Sequence, residues 1–212
     1  MGFAHILPHG QKGTNGVAIL SRQPFAQEET RIWCGRDDRR HAGVRLASGV
    51  EIHNFYVPSG GDVPDPARND KFDHKLRFLG EMIEWAADAA LRERPVVLVG
   101  DLNIAPLARD TWNHKRHLRS VGHTPRESAL MAELRAAAAL IDAPRRFVPD
   151  DAPLYTWWGY RYREAFAKNY GWRLDHIFVT PPLGGALGAC RVVAQTRGWD
   201  QPSDHAPVVV DL

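Results

Sequence analysis

Pro95-Val96-Val97-Leu98-Val99-Gly100-Asp101-Leu102-Asn103 decides the fold. A proline opens the stretch, four apolar residues follow and a glycine ends the run, the pattern of a central strand buried on both faces. Beyond the glycine, Asp101 and Asn103 stand two apart, so in a still-extended chain their side chains point the same way. A buried strand that delivers Asp and Asn to its carboxyl end holds polar chemistry against a rigid base. The same residues also suit a plain exit from the core through an Asx turn. On this stretch alone the two readings are level.

Working outward, residues 16–21 (Gly-Val-Ala-Ile-Leu-Ser) form a short apolar run between turn-rich flanks, a strand. Residues 42–46 and 51–57 pair as strands around Ala47-Ser48-Gly49. Residues 58–66, with three prolines and two glycines, make a shaped loop. From 69 to 93 apolar residues recur at helical spacing (Phe72, Leu76, Leu79, Ile83, Ala86, Ala90), which predicts one long amphipathic helix. After the central strand comes an irregular basic region, 108–126, and an alanine-rich helix, 127–140. Strands are predicted over 155–160, 173–180, 191–196 and 206–212. With no strong repeat, low-complexity segment or linker, residues 1–212 read as a single domain. Many strands with one long helix indicate an α/β (α+β) sandwich rather than a barrel.

A chain of 212 residues can bury roughly 70% or more of its unfolded surface. With 44% hydrophobic and 25% charged residues it is of ordinary globular composition, which excludes a disordered chain. A net charge of +2 is too mild to announce nucleic acid by itself, although Arg and His bunch at 31–45, 109–126 and 161–173. Seven tryptophans, several beside those basic stretches, exceed the needs of a core this size. Two cysteines without framework spacing suit a reducing cytoplasm. No apolar run reaches membrane-spanning length, and the first ten residues lack the features of a secretory signal. The default is a cytoplasmic monomer with no membrane contact.

Four features could carry chemistry: Gly100-Asp101-Leu102-Asn103, Arg173-Leu174-Asp175-His176, Ser203-Asp204-His205 and Tyr56-Val57-Pro58-Ser59-Gly60. Asp175 stands in an otherwise apolar strand, and a buried carboxylate is costly without a partner; an ion pair or a backbone cap is the structural alternative. Carboxylates and amides without cysteine ligands favour Mg²⁺ or Mn²⁺ over zinc. A His beside a second Asp is biased toward its charged form. Together these groups are what phosphodiester hydrolysis needs: charge neutralisation, a carboxylate to activate water, and donors for the phosphorane oxygens. His114-Lys115-Arg116-His117 suits a solvated or phosphate-facing loop better than a metal tract. By spacing alone, Trp157-Trp158 is one core and one surface aromatic. Neither a Gly-x-Ser-x-Gly elbow nor a P-loop occurs, so serine hydrolase and nucleotide kinase chemistry lack support.

Seven motifs then occur in the order of a known family: Asn15-Gly16-Val17-Ala18-Ile19-Leu20-Ser21, Tyr56-Val57-Pro58, Gly100-Asp101-Leu102-Asn103, His123-Thr124-Pro125-Arg126-Glu127, Tyr155-Thr156-Trp157-Trp158, Gly171-Trp172-Arg173-Leu174-Asp175 and Ser203-Asp204-His205. Over almost its whole length the chain resembles the bacterial exonuclease III type of AP endonuclease, within the endonuclease/exonuclease/phosphatase superfamily. The resemblance implies a four-layer αββα sandwich with its site at one end of the sheets. It implies that Asp101 orients or deprotonates water, that Asn103 helps hold the phosphate, and that His205, oriented by Asp175, stabilises it. Tyr56 would bond the phosphate or support the leaving group. Asp101, Asn103, Asp204 and His205 form the implied Mg²⁺ (or Mn²⁺) set. Trp157, Trp172 and Leu174, with Arg173 among them, would face DNA and wall a pocket for a sugar lacking its base, since an abasic deoxyribose is compact and easily extruded.

The chain departs from the family at two points. Ser59 stands where many relatives carry Asn, and the family's opening strands, with their Asn and metal-ligand Glu, do not precede Gly16. Gln27-Glu28-Glu29-Thr30 follows the 16–21 strand instead of preceding it and is rejected as that ligand. The expectation is a domain incomplete at its N-terminus, with exposed strand edges, less stable and less active than longer relatives. The implied function is Mg²⁺-dependent cleavage of duplex DNA 5′ to abasic sites, with 3′-to-5′ exonuclease and 3′-phosphatase action. The alternatives are a superfamily cousin hydrolysing a small-molecule or lipid phosphoester, and a catalytically impaired DNA-binding fragment.

Overall fold

The computed structural model describes residues 2–212. In chain order the strands are β1 (His5–Gly10), β2 (Gly16–Ser21), β3 (Phe25–Glu29), β4 (His41–Leu46), β5 (Glu51–Tyr56), β6 (Val96–Asp101), β7 (Ile141–Asp142), β8 (Asp175–Val179), β9 (Ala189–Val192) and β10 (Val208–Asp211). The helices are α1 (Asp70–Ala86), α2 (Ala89–Glu93), α3 (His114–His117), α4 (Pro125–Ala137) and α5 (Pro181–Gly184). Six strands form one sheet in the order β3-β4-β5-β6-β8-β7. As its apolar run requires, β6 lies inside, parallel to β5 and antiparallel to β8.

One face of this sheet carries the helices. Phe78, Leu79 and Met82 of α1, Leu91 of α2 and Met131 and Leu134 of α4 pack on Phe55, Leu98 and Phe178. The other face carries a second layer of strands in two separate pairs. The β1–β2 hairpin sets Leu7, Val17 and Ile19 on Ala42, Val44 and Ile52, while β9–β10 lies against the β8 side. A cavity of about 700 Å³ opens over Val99 and Ile177, walled by residues 196–208 that lead into β10. Helix, sheet and second strand layer give the expected α/β sandwich. Both helices longer than five residues, α1 and α4, lie on one side of it. On the outer face of β1–β2 the cross-strand partners Ile6 and Leu20 remain exposed.

Several boundaries differ from the sequence pattern for local reasons. The helix predicted over 69–93 breaks after Ala86, because the Asp88 side chain accepts the Ala90 N–H and caps a new turn. The second helix begins at Pro125, two residues earlier than predicted. Proline suits the first helical position, and Thr124 and Glu127 close a reciprocal capping box. Residues 155–160 are not a strand: Thr156 and Trp157 both donate to the Trp172 carbonyl, and only isolated bridges form. β3, with four of its five residues exposed, has too little apolar alternation to be read as a strand.

Candidate active site

The register of the large sheet assembles the site. Tyr56 pairs with Asp101 and Asp101 with Asp175, so the ends of β5, β6 and β8 bring three polar side chains into line. Gly100 makes this possible. Its φ is 136°, and a Cβ there would stand 1.9 Å from the Phe55 carbonyl oxygen. Past the strand, Asp101 accepts the Asn103 N–H at 2.9 Å, an Asx turn that also presents the functional pair. Asn103 is left-handed (φ 53°), and its amide donates to the Val57 carbonyl at 2.9 Å and to Asp101 at 3.2 Å. The fully buried Lys75 secures this turn, donating to the Asn103 carbonyl at 2.8 Å while paired with Glu127 at 2.5 Å.

The segment before β10 supplies the rest. Trp158 N–H donates to the Asp204 carbonyl and Ala206 N–H to that of Thr156, fixing Asp204 and His205 against the 156–158 segment. The Trp157 indole N–H donates to one Asp204 oxygen at 2.8 Å. Nδ1 of His205 lies 2.8 Å from Asp175, and its Nε2 lies 3.9 Å from Asp101. Thr156 Oγ1 accepts both the Leu174 and Asp175 N–H groups, which ties the start of β8 to the same segment.

Electrostatics follow from this crowding. Burial, and then the neighbouring charge of Asp175, push the Asp101 carboxyl up to about 7; His205, the Asn103 N–H and Lys75 act in the opposite direction. Burial disfavours charge on His205, yet the Asp175 hydrogen bond and the charges of Asp175, Asp101 and Asp204 outweigh it and raise the imidazole's pKa. The Tyr56 hydroxyl is raised by burial and by Asp101.

A cleft of about 930 Å³ is lined by Tyr56, Asp101, Asn103, Asp204 and His205, with Trp157, Trp172 and Leu174 on its apolar side. Asp175 stands behind His205. Arg173 is the correction. It is fully buried and faces away from the cleft, donating to Asp142 and Asp110 at 2.9–3.0 Å. Successive extended residues alternate in direction, so Trp172 and Leu174 face the cleft while the residue between them enters the protein. Trp158 is buried beside Ala165 and Ala206, leaving Trp157 as the cleft aromatic. Gln27, Glu28 and Glu29 lie on the edge strand and line a different cleft.

Sequence reasoning missed Arg119 and Arg161 on the cleft wall, and His117, whose ring meets Trp172 edge-on at 4.6 Å. The basic bunching was their only signal. Lys75 carried none, because it sits at a core position of α1 where a lysine reads as an exception to the pattern.

Polar groups gathered at the carboxyl end of a central strand, beside an apolar pocket, define a hydrolase-like α/β sandwich. Residues 2–205 match the Endonuclease/Exonuclease/phosphatase family, and the chain belongs to that family. Within it the chain is an exonuclease III-like nuclease. It is 28% identical over 215 residues to the exodeoxyribonuclease III of Haemophilus influenzae, covering 96% of this chain and 79% of that protein. It is 36% identical over 203 residues to the DNA repair nuclease APEX1 of Danio rerio, covering 95% of this chain and 62% of that one. The solved structure of the 3′ phosphatase NExo from Neisseria bound to a product DNA hairpin superposes with a TM-score of 0.89 at 31% identity, over 100% of this chain and 79% of that one.

Proposed function

We propose that the chain is a Mg²⁺- or Mn²⁺-dependent phosphodiesterase of DNA repair, cutting duplex DNA 5′ to abasic sites and clearing nucleotides or phosphate from 3′ ends. The observation that carries this is the Asp175–His205–Asp101 line at the mouth of a cleft with an apolar wall. Relatives of this chain are a DNA repair nuclease and a 3′ phosphatase seen with DNA. Arg119 and Arg161 on the cleft wall suit a phosphate backbone, as a small soluble phosphoester would not require.

The residues fit a hard divalent cation. Asp101 and Asp204 line the cleft with Asp175 behind His205, three carboxylates close together; burial first, and then the charge of Asp175, disfavour the Asp101 carboxylate, which a bound cation would stabilise. The Asn103 amide nitrogen is engaged, which leaves its oxygen; Asp204 has one oxygen outside its bond from Trp157. Asp101, Asn103 and Asp204 are therefore the ligands we favour. His205, held toward its charged form, has no lone pair to give and serves the phosphate instead. The bound ion would neutralise phosphate charge.

Asp101, whose carboxylate the cation would favour, takes a proton from the attacking water through the oxygen it does not give to the ion. The His205 imidazolium, fixed by Asp175, donates from Nε2 to the phosphate oxygens as charge builds there. Tyr56 donates its hydroxyl to the same group. Trp157, Trp172 and Leu174 accept a compact abasic sugar.

The test is nicking of a labelled duplex carrying one tetrahydrofuran abasic analogue, with Mg²⁺ or chelator, by the protein and its Asp101→Asn variant. Mg²⁺-dependent incision lost in the variant is the expected result. Binding without incision would instead identify an impaired DNA-binding fragment, and turnover of small phosphoesters alone a different branch of the family.

A further inference from the structure

We propose that Glu29, His41 and His53 form a second metal site, suited to Zn²⁺, that clamps the edge strand β3 to β4 and β5. It shares no residue with the catalytic cleft. The sheet register builds it: Glu29 pairs with Gly43 and Gly43 with His53, so the three stand in one row across the strands. His41, two residues before Gly43, points to the same face. His41 Nε2 lies 3.1 Å from His53 Nδ1, and Glu29 Oε1 lies 3.4 Å from that same atom. One ligand atom from each residue falls within 4.8 Å of the others. Two nitrogens bound to a tetrahedral zinc at about 2.0–2.1 Å stand about 3.3 Å apart, close to the 3.1 Å between His41 Nε2 and His53 Nδ1; a bound ion would take the place of the hydrogen bond the two rings share and turn both rings toward Glu29. Two imidazoles and a carboxylate make a donor set for zinc rather than magnesium.

Two further observations point to a ligand. Gly43 has no positive φ to require glycine, yet a Cβ there would stand 2.9 Å from His53 Nδ1 and 3.1 Å from Glu29 Oε1. The missing side chain is the space in which the donors meet. Behind His53, Glu51 Oε2 lies 3.7 Å from Nε2, and Arg94 donates to Glu51 Oε2 at 3.0 Å and to its Oε1 at 3.1 Å. At that distance the carboxylate acts on the ring through its charge, which strengthens an imidazole as a ligand. A cleft of about 430 Å³ opens onto Glu29 and His53 and gives an ion a path in.

The test uses the full chain stripped by chelator and then held in excess Mg²⁺. Zn²⁺ binding is followed by calorimetry, Co²⁺ by its visible absorption and stability by thermal melting. The expected result is one Zn²⁺ equivalent, a tetrahedral Co²⁺ spectrum and a raised Tm. Glu29→Gln, at an exposed position, should weaken binding about 10-fold or more, and Gly43→Ala and His53→Gln should abolish the spectrum. Asp204→Asn, in the other cleft, should leave both intact. No Zn²⁺ uptake by the parent chain, or equal uptake by folded Glu29→Gln and Gly43→Ala, would overturn the site.

Discussion

His205 holds Asp175 at 2.8 Å with one ring nitrogen and faces Asp101 at 3.9 Å with the other. One imidazole thus separates two carboxylates of unlike duty. The first keeps the ring charged and oriented, and the second is left short of compensation and easy to protonate. Asp175→Asn should therefore cost about 10²-fold or more in kcat and lower the His205 pKa, read by NMR of the ring protons. A large rate loss with an unmoved His205 titration would disprove the orienting role.

The pH profile of kcat/KM should be bell-shaped. Without the ion, Asp101 becomes a base as pH rises through about 7, and His205, raised above its ordinary 6.5, loses its charge as pH rises through that raised pKa. A divalent cation beside Asp101 favours the carboxylate, so the acid limb should move down as Mg²⁺ is increased. An acid limb that ignores both Mg²⁺ and Asp101→Glu would assign the base elsewhere.

Asp101 should also trade stability for function. Its folded pKa exceeds its ordinary 3.8, so between about 4 and about 7 the folded state binds the additional proton. Its contribution to stability is fully present below about 4 and lost as pH rises through about 7. Asp101→Asn, with no charge to strand, should melt higher than the parent at pH 8 in chelator. At this chain length each 1 kcal/mol is worth about 2–4 °C. The difference should close near pH 4, and an equal or lower melting temperature at pH 8 would refute the claim.

Arg173→Ala should act through folding. Removing it leaves Asp142 a buried carboxylate without its ion pair and Asp110 with Arg145 alone, a loss of about 3–5 kcal/mol. Denaturant melts should show the loss, while the salt dependence of DNA binding by the surviving folded fraction stays unchanged. A reduced salt slope would return Arg173 to the DNA interface.

Arg119→Ala should do the reverse. It lines the cleft and has no ion pair among the described residues, so binding of duplex DNA should weaken and the slope against log salt should fall by about 1. The melting temperature should barely move. An unchanged slope would mean that the phosphate backbone runs elsewhere.

Much of this protein was legible in its residues. The apolar run before Gly100, the helical spacing from Phe72 to Ala86 and the ordered motifs around Asp101, Asp175 and Asp204-His205 depend on local pattern, which one dimension records. Ends were harder to read. The side chains of Asp88 and Thr124 moved helix boundaries by bonding their own backbone, a competition that periodicity does not register.

By itself the sequence determined the buried strand, the kinds of group at its end and hence the class of chemistry. Only the tertiary structure decided which groups share a cavity. Arg173 and Leu174 are neighbours in the chain, yet one is sealed in a cage of carboxylates and the other walls the cleft. Glu29 and His53 lie 24 positions apart, yet strand register brings them to 3.4 Å. The physical reason is that side-chain direction and cross-strand register arise from pairing between distant segments, and that pairing comes into being only when the chain folds.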